Sequence, residues 1–526
     1  MTRSRANGFG ALVAALRTRG GALALPGATP PRPFPSLLVS RHGVTPQGAY
    51  AVAQARFITP DAAAVARLAA LLREKKMGVV AHFYMDPEIQ GVLTAARALW
   101  PHIHISDSLL MADSSVGMVA AGCTSVAVLG VDFMSENVRA ILDDAGHSAI
   151  PVYRLSEQDI GCTLAEAAED ATYFAWLDAA ARVPRSVHVV YINTSLRTKA
   201  LADARVPTIT CTSSNVVATV LSAAAQVPDV NVWYGPDSYM GANLVALLTR
   251  LAAATDEEVA AVHPQHTAAS IRSLLPRLRY FADGACAVHE MFGADVTQAV
   301  AAGYSDAFLT AHFEVPGEMF ELAMEARQRG MGVVGSTQNI LDFINARTDE
   351  ALQRPQAAER LRFVLGTETG MTTSIVDALQ RRLAAASPEA PAVEVEIVFP
   401  VAADSVTRTE GRDAPPAGGR LTAVSQLAIV PGPAGGEGCS TAGGCASCPY
   451  MKMNSLSALF RVAELVGTPG NALLEGYRPR AYADKAPQGG SLAAAGCRPI
   501  LHMRDFTKLK RFGQDLVDDI TSRNTR

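Results

Sequence analysis

Short apolar runs alternate with longer helical stretches from Asp61 onward. Near-continuous apolar runs are typical of strands in a parallel sheet that helices cover on both faces. The intervening stretches, such as residues 60–76 and 316–330, have the spacing of helices. The pattern predicts an α/β protein. The apolar runs are MGVVAHFY (77–84), SVAVLGVDFM (125–134), VHVVYINTS (187–195), PTITCTSS (207–214), DVNVWYGPD (229–237), DAFLTAHFE (306–314), MGVVGST (331–337) and LRFVLGT (361–367).

Polar, chemically capable residues stand at the ends of these runs. The endings read HFY, YINTS, CTSS, HFE and GST. Ligands of open parallel sheets bind beyond the carboxyl ends of the strands, so the sequence predicts a pocket there. The runs MGVVAHFY and MGVVGSTQ begin alike, which indicates that similar α/β units recur along the chain.

The two flanking regions differ from this pattern. Residues 1–60 contain seven Arg but no Asp, Glu or Lys, a composition typical of organelle transit peptides. The alternative is a disordered extension of a bacterial protein, and in either case removal of residues 1–55 is expected to leave turnover intact. Residues 384–424 are rich in Pro, Ala and Gly and predict a linker, interrupted by a strand at 393–401.

Overall composition excludes several classes of protein. A net charge of −4 gives no basic face for nucleic acid. The uncharged windows 114–131 and 206–228 break into strand-like and helix-like halves, which predicts buried core and no membrane span. Eight cysteines in 526 residues are too few for a disulfide-stapled secreted fold. Reduced thiols or metal ligands are expected instead.

Three cysteines crowd into the stretch GEGCSTAGGCASCPYMKMNS, at positions 439, 445 and 448. The CxxC formed by Cys445 and Cys448 is compatible with zinc, redox or cluster chemistry. A zinc site would need a second pair of ligands, and only Cys497 follows. A thioredoxin-type motif would open a helix after a strand, and the Gly-rich context gives that reading no support.

A site assembled from distant cysteines is the remaining alternative. Cys162, Cys286 and Cys448 each stand in a small-residue turn before an apparent helix. A helix N-terminus stabilises a thiolate, which suits a metal ligand. Three thiolates can bind three irons of a [4Fe–4S] cluster and leave the fourth iron open. Taken singly, each of these residues is more often an ordinary buried cysteine than a ligand.

The strand endings and cysteines together resemble the quinolinate synthase family, especially its plant and algal type. The resemblance runs from about Phe57 to Phe506. It rests on ten motifs in the family's order, which are KKMGVVAHFYMDPEIQGVLTAA, ISDSLLMADSS, LGVDFMSENVRAIL, VVYINTS, TITCTSSNVV, WYGPDSYMGAN, HFEVPGEM, VVGSTQNILDFI, GTETGM and GGCASCPYMKMNSL.

The resemblance implies three similar α/β/α sandwich lobes with parallel sheets around a central pocket, with a [4Fe–4S] cluster at its floor. It implies condensation of iminoaspartate with dihydroxyacetone phosphate to quinolinate, an NAD precursor, with release of phosphate and water. The implied segments are an extension at 1–56, lobes at 57–160, 161–285 (with an insertion at 249–279) and 286–383, a linker at 384–424, and a C-terminal segment at 425–526.

The resemblance also implies roles for the individual residues that match the family's motifs. The implied cluster ligands are Cys162, Cys286 and Cys448. The implied substrate-binding residues are His82, Ser108, Tyr191, Asn193, Ser213, His312, Glu314 and Thr337, and the implied proton-transfer residues are Glu314, Tyr84 and His312. Cys439 and Cys445 stand where some bacterial relatives carry additional cysteines with a proposed redox role, but the spacing here differs.

Partners and location follow from the same resemblance. It implies a plastid location (a bacterial member would be cytoplasmic), Fe–S assembly and sulfur-transfer proteins, an L-aspartate oxidase as supplier of iminoaspartate, and a homodimer. Two other functions stay open from the residues alone. One is an Fe–S hydro-lyase acting on a simple hydroxy acid, and the other is a metal-binding or redox scaffold built around Cys439–Cys448.

Overall fold

Three β-sheets with helices around them form the framework of the protein. The computed structural model describes residues 34–354, 358–387, 390–401, 407–408, 429–431, 437–440, 448, 450–482, 484–487 and 489–523. Its strands are β1 (Ser36–Ser40), β2 (Gly43–Gln47), β3 (Met77–His82), β4 (Ile103–Ser106), β5 (Ser125–Leu129), β6 (Val152–Tyr153), β7 (Ser186–Tyr191), β8 (Thr208–Cys211), β9 (Asn231–Gly235), β10 (Leu278–Tyr280), β11 (Phe308–His312), β12 (Gly332–Gly335), β13 (Ala358–Gly366), β14 (Ala392–Val398), β15 (Thr407–Arg408), β16 (Ile429–Pro431) and β17 (Glu437–Ser440).

The described α-helices alternate with these strands through most of the chain. They are Ala49–Ala55, Ala62–Glu74, Pro87–Ala96, Ser108–Ala120, Asp132–Asp144, Thr163–Ala167, Ala171–Ala180, Leu196–Asp203, Val216–Gln226, Ser238–Ala252, Asp256–Val262, Ala268–Leu274, Ala294–Gly303, Gly317–Gln328, Thr337–Leu352, Thr372–Ala385, Leu456–Leu465, Leu492–Leu509 and Gln514–Ser522. Within the described part of the chain, no helix is both long and apolar enough to cross a membrane.

The three sheets share one strand order. The first lobe has β4-β3-β5-β6 and the second has β8-β7-β9-β10, with every neighbouring pair parallel. The third lobe repeats the order as β12-β11-β13-β14, again all parallel. The α/β fold with parallel sheets is therefore confirmed, and the first strand of each lobe lies inside its sheet.

A hairpin close to the N-terminus completes the third sheet. Strand β1 pairs antiparallel with β14, so that Leu37 lies opposite Ile397, and β2 pairs with β1 as the edge strand. The side chains of Leu37 and Val39 are 0% exposed. The prediction of an extension reaching residue 56 is therefore wrong for residues 36–55, because this segment supplies a core strand, an edge strand and a helix.

The hairpin also corrects the expected effect of truncation. Removing residues 1–55 would delete β1 and uncover one edge of β14. It would also remove Tyr50, whose hydroxyl donates to Thr369 Oγ1 at 2.6 Å. The prediction of a transit peptide concerns residues 1–33, which lie outside the described residues.

Two further predicted boundaries change. The segment 384–424 begins with the last turn of the helix Thr372–Ala385 and includes β14, which belongs to the third sheet because it pairs with β13 over seven residues. The predicted insertion 249–279 ends inside β10, which pairs with β9 of the second sheet. The third lobe is therefore longer than predicted and the linker shorter. In the same way, the second sheet includes the end of the predicted insertion.

A small sheet joins the predicted linker to the C-terminal segment, and helices of that segment pack on the first two lobes. Strands β15, β17 and β16 form an antiparallel sheet. Cys439 lies in β17, but its side chain, like all of Cys445, is outside the described residues, so their redox role stays a prediction. In the helix Leu492–Leu509, a Cβ on Gly496 would lie 2.2 Å from the carbonyl oxygen of Leu196, so only glycine permits this approach.

The hairpin gives a stability prediction. Leu37→Ala should lower the free energy of unfolding by about 2–5 kcal/mol, because it leaves a cavity in the third sheet. Leu38→Ala, on the partly exposed opposite face of β1, is the matched control and should cost clearly less. Chemical denaturation followed by circular dichroism measures both. Equal losses would mean that β1 is not packed as the structure has it.

Candidate active site

Each lobe places a pair of functional side chains at the carboxyl end of its first strand. The first residue of the pair ends the strand and the second follows two positions later. The pairs are His82 and Tyr84 after β3, Tyr191 and Asn193 after β7, and His312 and Glu314 after β11. Because the three lobes have the same strand order, the three pairs occupy equivalent positions, where parallel sheets bind ligands.

A hydroxyl follows the neighbouring strand in each lobe. Ser108 is the first residue of the helix after β4, and Thr337 is the first residue of the helix after β12. The N-caps of these helices are Asp107 and Ser336, so capping does not explain Ser108 or Thr337. Ser213 follows β8 and lies 3.1 Å from His312 Nε2 through its Oγ.

The carboxylate of Glu314 lies at the centre of the contacts between these residues. Tyr191 donates a short hydrogen bond to Oε1. His289 Nδ1 lies 3.0 Å from Oε2, and His312 Nδ1 lies 3.7 Å from Oε1. The rings of His289 and His312 stack with centroids 4.7 Å apart. Glu314 thus gathers partners from the second and third lobes.

The partners of Glu314 keep it ionised. Burial alone would raise the pKa of its carboxyl, but His289 and the hydrogen bond from Tyr191 bring that pKa below its usual value. By contrast, burial and the charges of Glu368 and Glu314 raise the pKa of Tyr84 well above its usual value. The site therefore holds an ionised carboxylate and a protonated phenol, a pairing suited to a base and an acid.

The two strand-end histidines are held as neutral rings of one tautomer. His82 Nδ1 accepts from the backbone N–H of Tyr84 at 3.3 Å, and His312 Nδ1 accepts from that of Glu314 at 3.4 Å. Burial lowers the pKa of His82 to about 4 and that of His312 to about 3, although the Glu314 charge opposes both shifts. Each ring therefore carries its proton on Nε2 and can donate.

The three predicted ligand cysteines each follow the fourth strand of a lobe. Cys162 follows β6, Cys286 follows β10, and Cys448 follows β14 after a longer connection. Cys162 is the N-cap of the helix Thr163–Ala167, as predicted. Cys286 and Cys448 precede 3₁₀ turns, His289–Met291 and Met451–Met453, where α-helices were predicted.

Backbone N–H groups of the following turns point at all three sulfurs. Cys162 accepts from Ala165 and Leu164, Cys286 from His289, and Cys448 from Met451 and Tyr450. Burial nevertheless raises the pKa of Cys162 to about 12 and raises the pKa values of Cys286 and Cys448, with a further rise from the Cys162 charge. Three neighbouring, half-buried cysteines with N–H donors aimed at their sulfurs fit a site for a cationic metal group.

Two members of the site escaped the sequence reasoning. His289 is 0% exposed, and its Nδ1 lies 3.3 Å from Cys286 Sγ as well as beside Glu314. Glu368, in GTETGM, is buried and accepts from the backbone N–H of Cys448, while its Oε2 has no partner among the described residues. The sequence contained one signal for His289, which is a polar residue three positions after the predicted ligand Cys286.

The remaining predicted site residues make fewer contacts with the other residues of the site. His82 and Tyr84 meet edge to face with ring centroids 4.6 Å apart, and Tyr84 lies 6.3 Å from His289. Ser108, Asn193 and Thr337 make no side-chain hydrogen bond to another site residue within the described part of the chain. Their donor groups are therefore not used in contacts between the described site residues.

A separate cavity of about 670 Å³ lies along Cys162. Its acidic lining residues are Asp132, Glu136, Glu157, Asp159, Glu166 and Glu169, with Arg480 as a basic neighbour. An excess of carboxylates repels anions, so this cavity suits an anionic ligand less than the strand-end site does.

The chain resembles known proteins over most of its length. The family model described as quinolinate synthetase A protein matches residues 66–391. A chloroplastic quinolinate synthase of Nicotiana tabacum is 55% identical over 526 residues, covering 99% of this chain and 72% of the relative. The chloroplastic enzyme of Arabidopsis thaliana is 56% identical over 492 residues, covering 93% and 67%.

A bacterial relative matches over a shorter stretch. The quinolinate synthase of Mycolicibacterium paratuberculosis is 34% identical over 183 residues, which cover 35% of this chain. The higher identity to plant relatives agrees with the predicted plant type, and their chloroplastic names support the predicted plastid location. Since both the family model and the plant relatives extend across most of these lobes, the chain belongs to the quinolinate synthase family and is an enzyme of that type.

Proposed function

We propose that this enzyme condenses iminoaspartate with dihydroxyacetone phosphate to quinolinate, releasing phosphate and water, as a step toward NAD. The observation that carries the proposal is the position of His289. One imidazole nitrogen lies 3.0 Å from the Glu314 carboxylate and 3.3 Å from the Cys286 sulfur. The proposed acid–base group and a proposed cluster ligand are therefore neighbours in one site.

Cys162, Cys286 and Cys448 would hold the [4Fe–4S] cluster. The charges of their thiolates would be balanced by the cationic iron, which would reverse the rise in pKa that burial causes. When bound, the cluster would supply an open iron acting as a Lewis acid on a substrate oxygen. Two of the three sulfurs are further restrained because Thr163 bonds the backbone on both sides of Cys286, at Ala285 and Ala287.

Neutral donors and helix N-termini would bind the two anionic substrates. Ser108 and Thr337 open helices of 13 and 16 residues, whose first N–H groups and dipoles favour a carboxylate or a phosphate. Ser213, Asn193 and the Nε2–H of His82 would add donors from the first two lobes. This arrangement needs no basic patch and is consistent with the near-neutral charge of the chain.

Two residues would move protons. Glu314 is ionised before reaction, so it would accept a proton from a substrate carbon or nitrogen during condensation. Tyr84 is protonated and would donate to a departing oxygen, with its hydroxyl oriented by Thr367 Oγ1 at 3.4 Å. The Nε2–H of His312 would orient Ser213. Condensation with dehydration requires no net oxidation or reduction.

The macromolecular partners remain proposals from family membership. Fe–S assembly and sulfur-transfer proteins would build the cluster, and an L-aspartate oxidase would supply iminoaspartate, which hydrolyses in water. A homodimer is the proposed assembly.

An anaerobic assay tests the proposal. Reconstituted enzyme should form quinolinate from the two substrates, as measured by chromatography, and Cys162→Ala, Cys286→Ala and Cys448→Ala should lack both cluster absorbance and turnover. Cys497→Ala is the matched control, since Cys497 lies buried in the helix Leu492–Leu509 away from the proposed ligands. A Cys448→Ala variant with full iron content would overturn the ligand assignment. Dehydration of a single hydroxy acid, with no quinolinate, would overturn the function.

Glu314→Gln tests the proton-transfer role. The amide keeps the shape but cannot accept a proton, so turnover should fall by about 10²–10⁴-fold while the cluster loads normally. Glu318→Gln, four residues further on and exposed, is the control and should keep normal turnover. Near-normal turnover of Glu314→Gln would shift the role to Tyr84, and failure of cluster loading would make Glu314 a structural residue.

A further inference from the structure

The backbone around each strand-end residue is held by a buried side-chain donor. Gln90 Nε2 bonds the carbonyl oxygens of Phe83 and Met85, at 2.9 Å in the second case. These two carbonyls stand immediately before and after Tyr84. Gln90 is 0% exposed. Its amide therefore fixes the two peptide groups that carry Tyr84.

The second lobe repeats the arrangement with a different side chain. Lys199 Nζ donates to the carbonyl oxygen of Ile192 at 3.1 Å and to that of Thr194 in a shorter bond. These carbonyls flank Asn193. Lys199 is 0% exposed, and burial lowers the pKa of its amine to about 7, although the Glu136 charge opposes this shift. A buried amine needs acceptors for its N–H groups whether or not it is protonated, and these two carbonyls supply them.

The third lobe uses a donor from its neighbour. Asn243 Nδ2 donates to the carbonyl oxygens of Phe313 and Val315 at 2.9 and 2.7 Å, and these flank Glu314. Asn243 is 1% exposed and lies in the helix Ser238–Ala252 of the second lobe.

The spacing along the chain explains why the donor that holds Glu314 comes from another lobe. Gln90 and Lys199 each stand six residues after the side chain that they hold. The residue six positions after Glu314 is Phe320, an apolar residue whose ring meets that of Phe313 at 5.5 Å. The third lobe thus has no donor at the repeated position, and Asn243 makes the two bonds in its place.

The donors also connect the lobes. Gln90 Nε2 also contacts the carbonyl oxygen of Gly370 in the third lobe, so that its two N–H groups are shared among three carbonyls, and Asn243 joins the second lobe to the third. Lys199 interacts electrostatically with Glu136 of the first lobe, whose Oε2 accepts from the backbone N–H of Leu196 at 3.0 Å. Each lobe boundary therefore includes one of these donors.

We propose that Gln90, Lys199 and Asn243 are positioning residues, which set Tyr84, Asn193 and Glu314 by bonding the carbonyls on either side of them. The inference rests on the proposed function for the roles of the three held residues. Because the held residues differ in role, loss of each donor should have a different kinetic effect, which a general loss of stability would not produce.

The test compares the kcat and KM of near-isosteric variants, with each rate expressed per mole of bound cluster. Lys199→Met should raise the KM for the substrate contacting Asn193 about tenfold with kcat within about twofold. Asn243→Leu should lower kcat about 10–100-fold with KM within about threefold, since small displacements of a reacting group cost this much. Asn137→Leu is the matched control and should change neither constant, because Asn137 is buried but its amide bonds no described atom.

Further measurements separate the possible failures. Wild-type turnover in the same assay tests the proposed function, and the variant-to-wild-type ratios test the positioning role. Crystal structures of the variants need no turnover: Asn243→Leu should displace the Phe313–Val315 turn, and Asn137→Leu should leave it in place. If Asn243→Leu does not fold, Asn243→Asp replaces it, since the carboxylate keeps the shape of the side chain but cannot donate to the two carbonyls. The inference would be overturned if the Phe313–Val315 turn stayed in place in the Asn243 variant. It would also be overturned if all the variants changed kcat and KM in the same way.

Discussion

The ionised carboxylate of Glu314 is 3% exposed, and an ion removed from water in this way costs several kcal/mol unless polar partners replace its hydration. Tyr191 and His289 supply those partners from two lobes. Neither residue is close to Glu314 in the sequence, so the charge is stable only when the lobes are assembled. The ionised carboxylate that the proposed reaction needs therefore depends on the assembled fold.

The repeated lobe explains how such a site can be assembled. One strand order occurs three times, and each copy delivers a residue pair, a hydroxyl and a cysteine at equivalent points. Similar backbones thereby present different chemistry, with a phenol in the first lobe, an amide in the second and a carboxylate in the third. The donors that hold these residues vary in the same way: an amide in the first lobe, a lysine amine in the second, and for the third an amide from the neighbouring lobe.

The sequence predicted the parallel strands and their polar ends well, because apolar runs and motif spacing are local properties. It did not predict the β1–β2 hairpin, since the partner of β1 lies more than 350 residues away and the surrounding Arg-rich composition favoured an extension. It extended the strand after Ser125 into the helix Asp132–Asp144 because Val131 and Phe133 continue the apolar run. The roles of His289 and Asn243 depend on contacts between segments, and a single sequence does not show such contacts.

The central claim is that one ligand site is shared by all three lobes. The most direct measurement is an anaerobic crystal structure of the cluster-loaded protein with quinolinate bound. The account predicts that quinolinate contacts at least one strand-end residue or hydroxyl from each lobe, beside Glu314 and on the side of the three cysteines. Quinolinate bound within a single lobe, or in the acidic cavity along Cys162, would contradict it.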